Sequence, residues 1–318
     1  MSLRSGNAPA WRRLLTRRRF LAGGLLTVAG VTLPRTMTLG APAAPLTRAI
    51  PSSGEPIPMI GMGSWRTFNV GRDENLRRKR LEVLRTFFQL GGGMIDSSPM
   101  YGSSEEVIGW GLRQLKGEPP LLSATKVWTR GRDRGIAEME TSRTLWGVDR
   151  FDLMQVHNLL DWEIHLQTLF AMKAEGRLRY VGITTSHGRR HDELAQIMET
   201  QPIDFVQLTY NIMDREVEDR LLPLAAERKI AVIANRPFDR GSLFDFVEGN
   251  ALPAWASEFD CTNWAQFFLK FVISHPALTC AIPATSQVDH MGENMGAGVG
   301  RLPSAQMRKR MIRHMEDL

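Results

Sequence analysis

The chain has 318 residues, 43% hydrophobic and 23% charged, a balance that suits one large globular domain or two small ones. Its formal charge of +6 misleads, because residues 1–43 hold seven arginines and no Lys, Asp or Glu, which leaves −1 for the remainder. A near-neutral body has no basic stripe for nucleic acid, and two cysteines, Cys261 and Cys280, are too few for a disulfide framework or a metal site.

The first 43 residues read as an address. Thr16-Arg17-Arg18-Arg19-Phe20-Leu21-Ala22 sets paired arginines before a weakly apolar stretch running to Leu33, and Ala41-Pro42-Ala43 is a small-x-small cleavage site. The apolar run is about a dozen residues, short of the roughly 20 that a stable spanning helix requires. The segment resembles a twin-arginine translocation signal. That implies a mature protein beginning near Ala44, handled by the twin-arginine export machinery, delivered to the periplasm and not held in the membrane after cleavage. An oxidising compartment permits a disulfide, but Cys280 lies in the apolar run Thr279-Cys280-Ala281-Ile282 and is expected as a small buried hydrophobe.

From residue 44 to 318 one body is expected. Ile50 to Ile60, with Ser52-Ser53-Gly54 at its centre, predicts a hairpin. Strand-like runs follow at Met59–Met62, Gly93–Asp96, Leu121–Lys126, Leu153–His157, Tyr180–Ile183, Phe205–Leu208, Ile230–Ala234 and Thr279–Ile282. Amphipathic stretches separate them: Asn75–Leu90, Glu105–Leu115, Ile136–Trp146, Trp162–Glu175, His191–Glu199, Val217–Arg228 and Thr262–Ser274. The long interval after Ile230 implies an inserted loop or helix around Asp239–Asp260, and Ser304–Leu318 predicts a terminal helix. Strands buried on both sides and joined by crossover helices make a parallel sheet. Eight such units in this length fit a closed (β/α)8 TIM barrel, of class α/β. A doubly wound sheet competes, but no Gly-x-Gly-x-x-Gly follows the first strand.

In such a barrel the carboxyl ends of the strands share one pocket. Those ends carry Asp96 and Tyr101, Lys126, and His157. Together they are an acid, a phenol, an amine and an imidazole, a set able to move a proton at a carbonyl oxygen. A carbonyl accepting hydride develops negative charge on oxygen and needs a donor. A free phenol, with a pKa of about 10, is a weak one, and a nearby ammonium is expected to lower that value. A carboxylate can hold the ammonium in place, and an imidazole can orient the carbonyl. No His-x-His or carboxylate cluster at the strand ends points to a metal-dependent hydrolase, and no metal is expected.

These strings, Ile95-Asp96-Ser97-Ser98-Pro99-Met100-Tyr101-Gly102, Ser123-Ala124-Thr125-Lys126-Val127-Trp128 and Met154-Gln155-Val156-His157-Asn158, resemble the aldo/keto reductase superfamily over essentially the whole body. The resemblance implies that Asp96, Tyr101, Lys126 and His157 are the family's catalytic tetrad. It also implies an NAD(P)H-dependent reduction of an aldehyde or ketone with Tyr101 as the proton donor. A cofactor-binding sensor or regulatory barrel with little turnover is the alternative. By the same resemblance the first strand, with Gly63, Ser64 and Trp65, belongs to the cofactor site. Thr184, Thr185 and Gln207 would meet the nicotinamide, and the loop Asn235-Arg236-Pro237-Phe238 would follow it, with Asn235 where the family usually has a stacking aromatic. Thr285, Ser286, His290, Glu293 and Asn294 match the adenosine-phosphate segment. Ala284 and His290 stand where NADPH-selective members carry a Lys and an Arg; His290 offers a weaker, pH-dependent anchor, and NADP(H) is the expected cofactor with NAD(H) second. Trp65, Phe68, Met100, Trp128 and Asn158 are candidates to line a pocket for a small carbonyl substrate.

Overall fold

The structure is a computed structural model that describes residues 44–115, 117 and 120–318. The predicted leader lies outside the described residues. The predicted hairpin forms as β1 (Thr47–Ala49) and β2 (Pro56–Pro58), antiparallel with Arg48 opposite Ile57. Eight parallel strands follow: β3 (Met62–Gly63), β4 (Met94–Asp96), β5 (Leu122–Val127), β6 (Phe151–Val156), β7 (Leu178–Thr184), β8 (Phe205–Thr209), β9 (Ala231–Asn235) and β10 (Cys280–Ala281). They lie in sequence order around one sheet. Parallel bridges from Ile60 to Ala281 and from Gly63 to Ala284 bring the last strand against the first, so the sheet closes into the expected (β/α)8 barrel. Gly63 is needed at that seam, since a Cβ there would stand 2.7 Å from the Ile282 carbonyl oxygen.

Helices alternate with the strands: α1 (Glu74–Gln89), α2 (Ser104–Gln114), α3 (Arg132–Trp146), α4 (Trp162–Ala174), α5 (His191–Thr200) and α6 (Leu221–Glu227). The long interval after β9 holds a short α7 (Ser242–Phe246), a 3-10 segment at Ala254–Phe259 and then α8 (Trp264–Ile273). The chain ends with α9 (Val288–Gly296) and α10 (Ala305–Glu316). Helix α1 starts where Asp73 accepts a hydrogen bond from the Leu76 N–H at 2.9 Å, a side-chain cap on an otherwise unpaired donor.

Period-two alternation divides the strand side chains between two cores. Ile95, Val127, Val156, Ile183, Val206 and Val232 face outward and pack with helix residues such as Val83, Leu84, Phe87 and Ile108. Met94, Leu122, Leu153, Tyr180, Phe205, Ile233 and Cys280 form a separate cluster with Ile50 and Ile57 of the hairpin. The hairpin therefore plugs one end of the barrel, and the Tyr180 hydroxyl donates to Glu55 at 2.6 Å to hold it there. Both cysteines are free and buried, and burial pushes the Cys280 thiol well above its ordinary range. Cys280 is thus the apolar packing residue that its sequence context predicts. With apolar side chains filling the barrel from the hairpin end, the inward polar positions are left to the carboxyl ends of the strands.

Candidate active site

On β4 the alternation that turns Met94 into the barrel also turns Asp96 inward. Ser97 still donates its N–H to the Ala124 carbonyl, and the chain then leaves the sheet through Ser98 into a 3-10 turn, Pro99–Tyr101. Gly102 ends the turn at φ 63, and a Cβ there would lie 2.5 Å from Asn69 Oδ1, so only glycine fits. This turn returns Tyr101 over the barrel mouth. On β5 the inward series is Leu122, Ala124, Lys126, and on β6 it is Leu153, Gln155 and then His157 just beyond the strand.

The four predicted tetrad residues come together. Lys126 Nζ, fully buried, donates to Asp96 Oδ2 at 2.5 Å and to the Ser97 carbonyl at 2.7 Å. The same ammonium lies 5.4 Å from the centre of the Tyr101 ring. Tyr101 and His157 meet nearly edge to face, with ring centres 5.8 Å apart. Asp96 is held from a second side, because Gln155 and Gln207 each donate through Nε2 to its Oδ1 at 2.9 Å. His157 Nδ1 sits 2.9 Å from Ser98 Oγ.

The electrostatics differ in one respect from the sequence expectation. Burial raises the Tyr101 phenol above its ordinary value and outweighs the opposing pull of Lys126. Tyr101 is therefore held protonated, as a donor must be. Burial works to lower Lys126, but Asp96 and Tyr101 more than offset it and the ammonium stays charged. Burial and the Lys126 charge drive His157 well below the usual imidazole range, so it is neutral at pH 7.

Above this group opens a cavity of about 660 Å³. Asp96, Tyr101 and His157 face it, and so do Gly63, Ser64, Trp65, Thr184, Thr185, Gln207, Asn235, Arg236, Pro237 and Phe238. Lys126 lies beneath. The mouth is electropositive: Arg66, Arg189, Arg236 and Arg240 line it with no carboxylate within ion-pair distance among the described residues. Burial and the Arg240 charge bring Arg236 down to about 10. Arg66 and Arg240 both lie against the Trp65 ring, at 4.9 and 5.0 Å. Arg66, Asn158, His187, Arg236 and Arg240 all line the mouth in left-handed backbone, a conformation that costs such residues energy and is often retained at functional sites. Buried and without a hydrogen-bond partner among the described residues, Thr185 Oγ1 is an orphaned polar atom at the edge of the same cavity.

Residues 59–311 match the model of the Aldo/keto reductase family. The chain belongs to the aldo/keto reductase family. It is 27% identical over 256 residues to the methylglyoxal reductase YeaE of Escherichia coli, an alignment covering 79% of this chain and 89% of that one. Among solved structures it superposes on the thermostable aldo-keto reductase Tm1743, whose crystals held the inhibitor epalrestat, with a TM-score of 0.70 and 26% identity over 84% of this chain and 99% of the other. An aldo/keto reductase from Klebsiella pneumoniae, solved with NADP and acetate, shares the fold at a TM-score of 0.67 and 23% identity, covering 82% and 93%.

Measured against an aldo/keto reductase site, several positions stand apart. Asn235 occupies the usual place of the stacking aromatic and is committed to the protein. Its Oδ1 accepts from Thr209 at 2.8 Å and its Nδ2 donates to the Thr185 carbonyl at 2.9 Å, tying three strand ends together. Gln207, expected at the nicotinamide, lines the cavity while its Nε2 donates to Asp96 Oδ1 and Gln155 Oε1. Thr285, Ser286, His290, Glu293 and Asn294 do not line the cavity. Thr285 Oγ1 accepts from the Gln287 N–H ahead of α9, and His290 is exposed on that helix. Trp65, Met100 and Asn158 face the cavity as expected. Phe68 does not, being fully buried in the outer core, and Trp128 lies at the rim 6.3 Å from His157 without lining the cavity. Sequence reasoning passed over Gln155, Ser98 and Arg240. The first was readable, since it shares the inward face of β6 with Leu153 and His157.

Proposed function

We propose that this aldo/keto reductase reduces the carbonyl of a small aldehyde or ketone with a reduced nicotinamide cofactor, NADP(H) before NAD(H). The observation that carries the reading is the buried Asp96–Lys126 pair beneath a protonated Tyr101, with neutral His157 beside it at the floor of an electropositive cavity. The cofactor site fits the residues present. Thr185 Oγ1 lacks a partner where a carboxamide would be read, and Arg236 and Arg240 supply unpaired positive charge for phosphates. No aromatic ring stands at Asn235 to stack on the nicotinamide. When bound, the cofactor supplies the hydride. The chain's own residues do the rest. Tyr101 donates its proton to the carbonyl oxygen, Lys126 offsets the charge left on the phenolate, and Asp96 with its two amide partners keeps Lys126 in place. This assembled proton-transfer site favours turnover over a sensor role.

The test follows NADPH absorbance with methylglyoxal, after the Escherichia coli relative's name, and with a series of aromatic aldehydes. Tyr101→Phe is expected to lose about 10²- to 10⁴-fold in turnover. Equal rates in variant and wild type reject Tyr101 as the acid.

We also infer that residues 1–43 are a twin-arginine leader and that the enzyme works in the periplasm. The support is the order of paired arginines, apolar run and Ala41-Pro42-Ala43. Replacing Arg17, Arg18 and Arg19 by Lys is expected to keep the full-length protein in the cytoplasm. Wild-type protein from the periplasmic fraction is expected to begin at Ala44 by mass, and full-length protein confined to the cytoplasm rejects the reading.

A further inference from the structure

We propose that Ser98 is a positioning residue that fixes the tautomer of His157, so that Nε2 carries the proton and presents it to the substrate oxygen. The inference rests on the carbonyl-reductase reading but starts from hydrogen-bond accounting alone. Ser98 is fully buried, so bulk water does not reach its hydroxyl. Its Oγ already accepts the Met100 N–H at 3.2 Å, in the turn that delivers Tyr101. The hydroxyl proton then needs an acceptor, and among the described residues the one within reach is His157 Nδ1 at 2.9 Å. Were the bond reversed, with Nδ1–H donating to Oγ, the Ser98 proton would be left buried and unsatisfied, which is the costlier arrangement. Neutral imidazole carries one N–H, so a proton received at Nδ1 requires the ring's own proton on Nε2.

The consequence concerns the substrate. With Nδ1 occupied by Ser98, Nε2 is the nitrogen that His157 leaves to the cavity it lines. In this tautomer it donates a hydrogen bond and favours a carbonyl oxygen over a hydrogen-bond donor. In the other tautomer it would only accept, and would repel that oxygen. A single serine thus couples two parts of the site: its Oγ holds the turn that carries Tyr101, and its proton sets the polarity of His157.

The full-length protein labelled with ¹⁵N at histidine tests this directly, since the chain has only seven histidines and His157→Gln identifies the resonance. The wild type is expected to show a protonated Nε2 and a bare, hydrogen-bonded Nδ1. A protonated Nδ1 in the wild type overturns the proposal without recourse to any variant. In Ser98→Ala the Nδ1 signature is expected to shift and kcat for carbonyl reduction to fall about tenfold, the value of one hydrogen bond of ~1.4 kcal/mol, with cofactor affinity retained. Ser98→Thr, which keeps the hydroxyl, is expected to restore both. An unchanged kcat and spectrum in Ser98→Ala also overturns it. If no carbonyl is turned over by any form, the reductase reading fails while the spectrum still decides the tautomer.

Discussion

Lys126 and Asp96 form an ion pair, 2.5 Å between Nζ and Oδ2, in which neither side chain is more than 3% exposed. Such a pair is tolerated because further hydrogen bonds support both partners: the ammonium also donates to the Ser97 carbonyl, and the carboxylate accepts from two amides. Removing one partner leaves a buried charge with no counterpart. Asp96→Asn is therefore expected to cost about 3–5 kcal/mol of unfolding free energy along with activity. Replacing both, as in Asp96→Leu with Lys126→Met, is expected to recover most of the stability and none of the turnover. Denaturant unfolding of the three proteins checks this, and a single variant as stable as the wild type would contradict it.

The pH dependence follows from the direction of two shifts. Tyr101 is raised above its ordinary value, so the donor form persists through neutrality, and the reduction rate is expected to decline only as pH climbs past ~10. His157 is depressed well below 6.5, so acidification from pH 8 to 6.5 does not charge it and is expected to leave kcat/KM flat. Linkage gives the sign for stability. The unfolded chain binds the His157 proton more readily than the folded one, so its contribution is complete above ~6.5 and declines as pH falls toward the folded value. His157→Gln is expected to flatten, though not abolish, the fall of melting temperature between pH ~6.5 and 5, because His275 is depressed by burial as well. An identical slope in variant and wild type would show that His157 is not the group responsible.

Gln155 and Gln207 both donate to Asp96 Oδ1, yet only Gln207 reaches the cavity. Their variants are expected to separate accordingly. Gln155→Leu leaves one carboxylate oxygen short of a donor and is expected to cost about 1–3 kcal/mol in stability, with the cofactor KM unchanged. Gln207→Leu is expected to raise the cofactor KM as well. Steady-state kinetics beside thermal melts distinguishes the two, and a raised cofactor KM in Gln155→Leu would refute the division.

The contrast between Gln155 and the tetrad shows where sequence reading succeeds. Asp96, Lys126 and His157 end apolar runs, and a polar residue at such a boundary is conspicuous. Gln155 lies one step down the same inward face, inside the apolar run that marks the strand, where no boundary sets it apart. The eight strands were legible because each is a short apolar run between amphipathic stretches. Helix α9 was not, since Gly292 and Gly296 interrupt its pattern. Arg240 falls in the stretch read as an insertion, and its contact with Trp65 spans 175 positions that no local pattern encodes. Phe68 misled for the opposite reason: it neighbours Trp65 in sequence, but the loop after β3 turns it into the outer core.

Thr185 and Asn235 lie side by side at the cavity and make opposite use of their polar atoms. The Asn235 amide is spent on Thr209 and the Thr185 carbonyl, whereas Thr185 Oγ1 is buried with no partner among the described residues. An orphaned hydroxyl costs the free protein energy, of about 1–3 kcal/mol, that a ligand can return by bonding it. Thr185→Val is therefore expected to leave the melting temperature unchanged or higher and to weaken NADP(H) binding about fivefold, the value of one neutral hydrogen bond of ~1 kcal/mol. Asn235→Ala is expected to lower stability, since both of its bonds are internal. Titration of each variant with NADPH, followed by intrinsic fluorescence, reads the two effects apart. Unaltered affinity in Thr185→Val would mean that its hydroxyl is idle packing and that the carboxamide is read elsewhere.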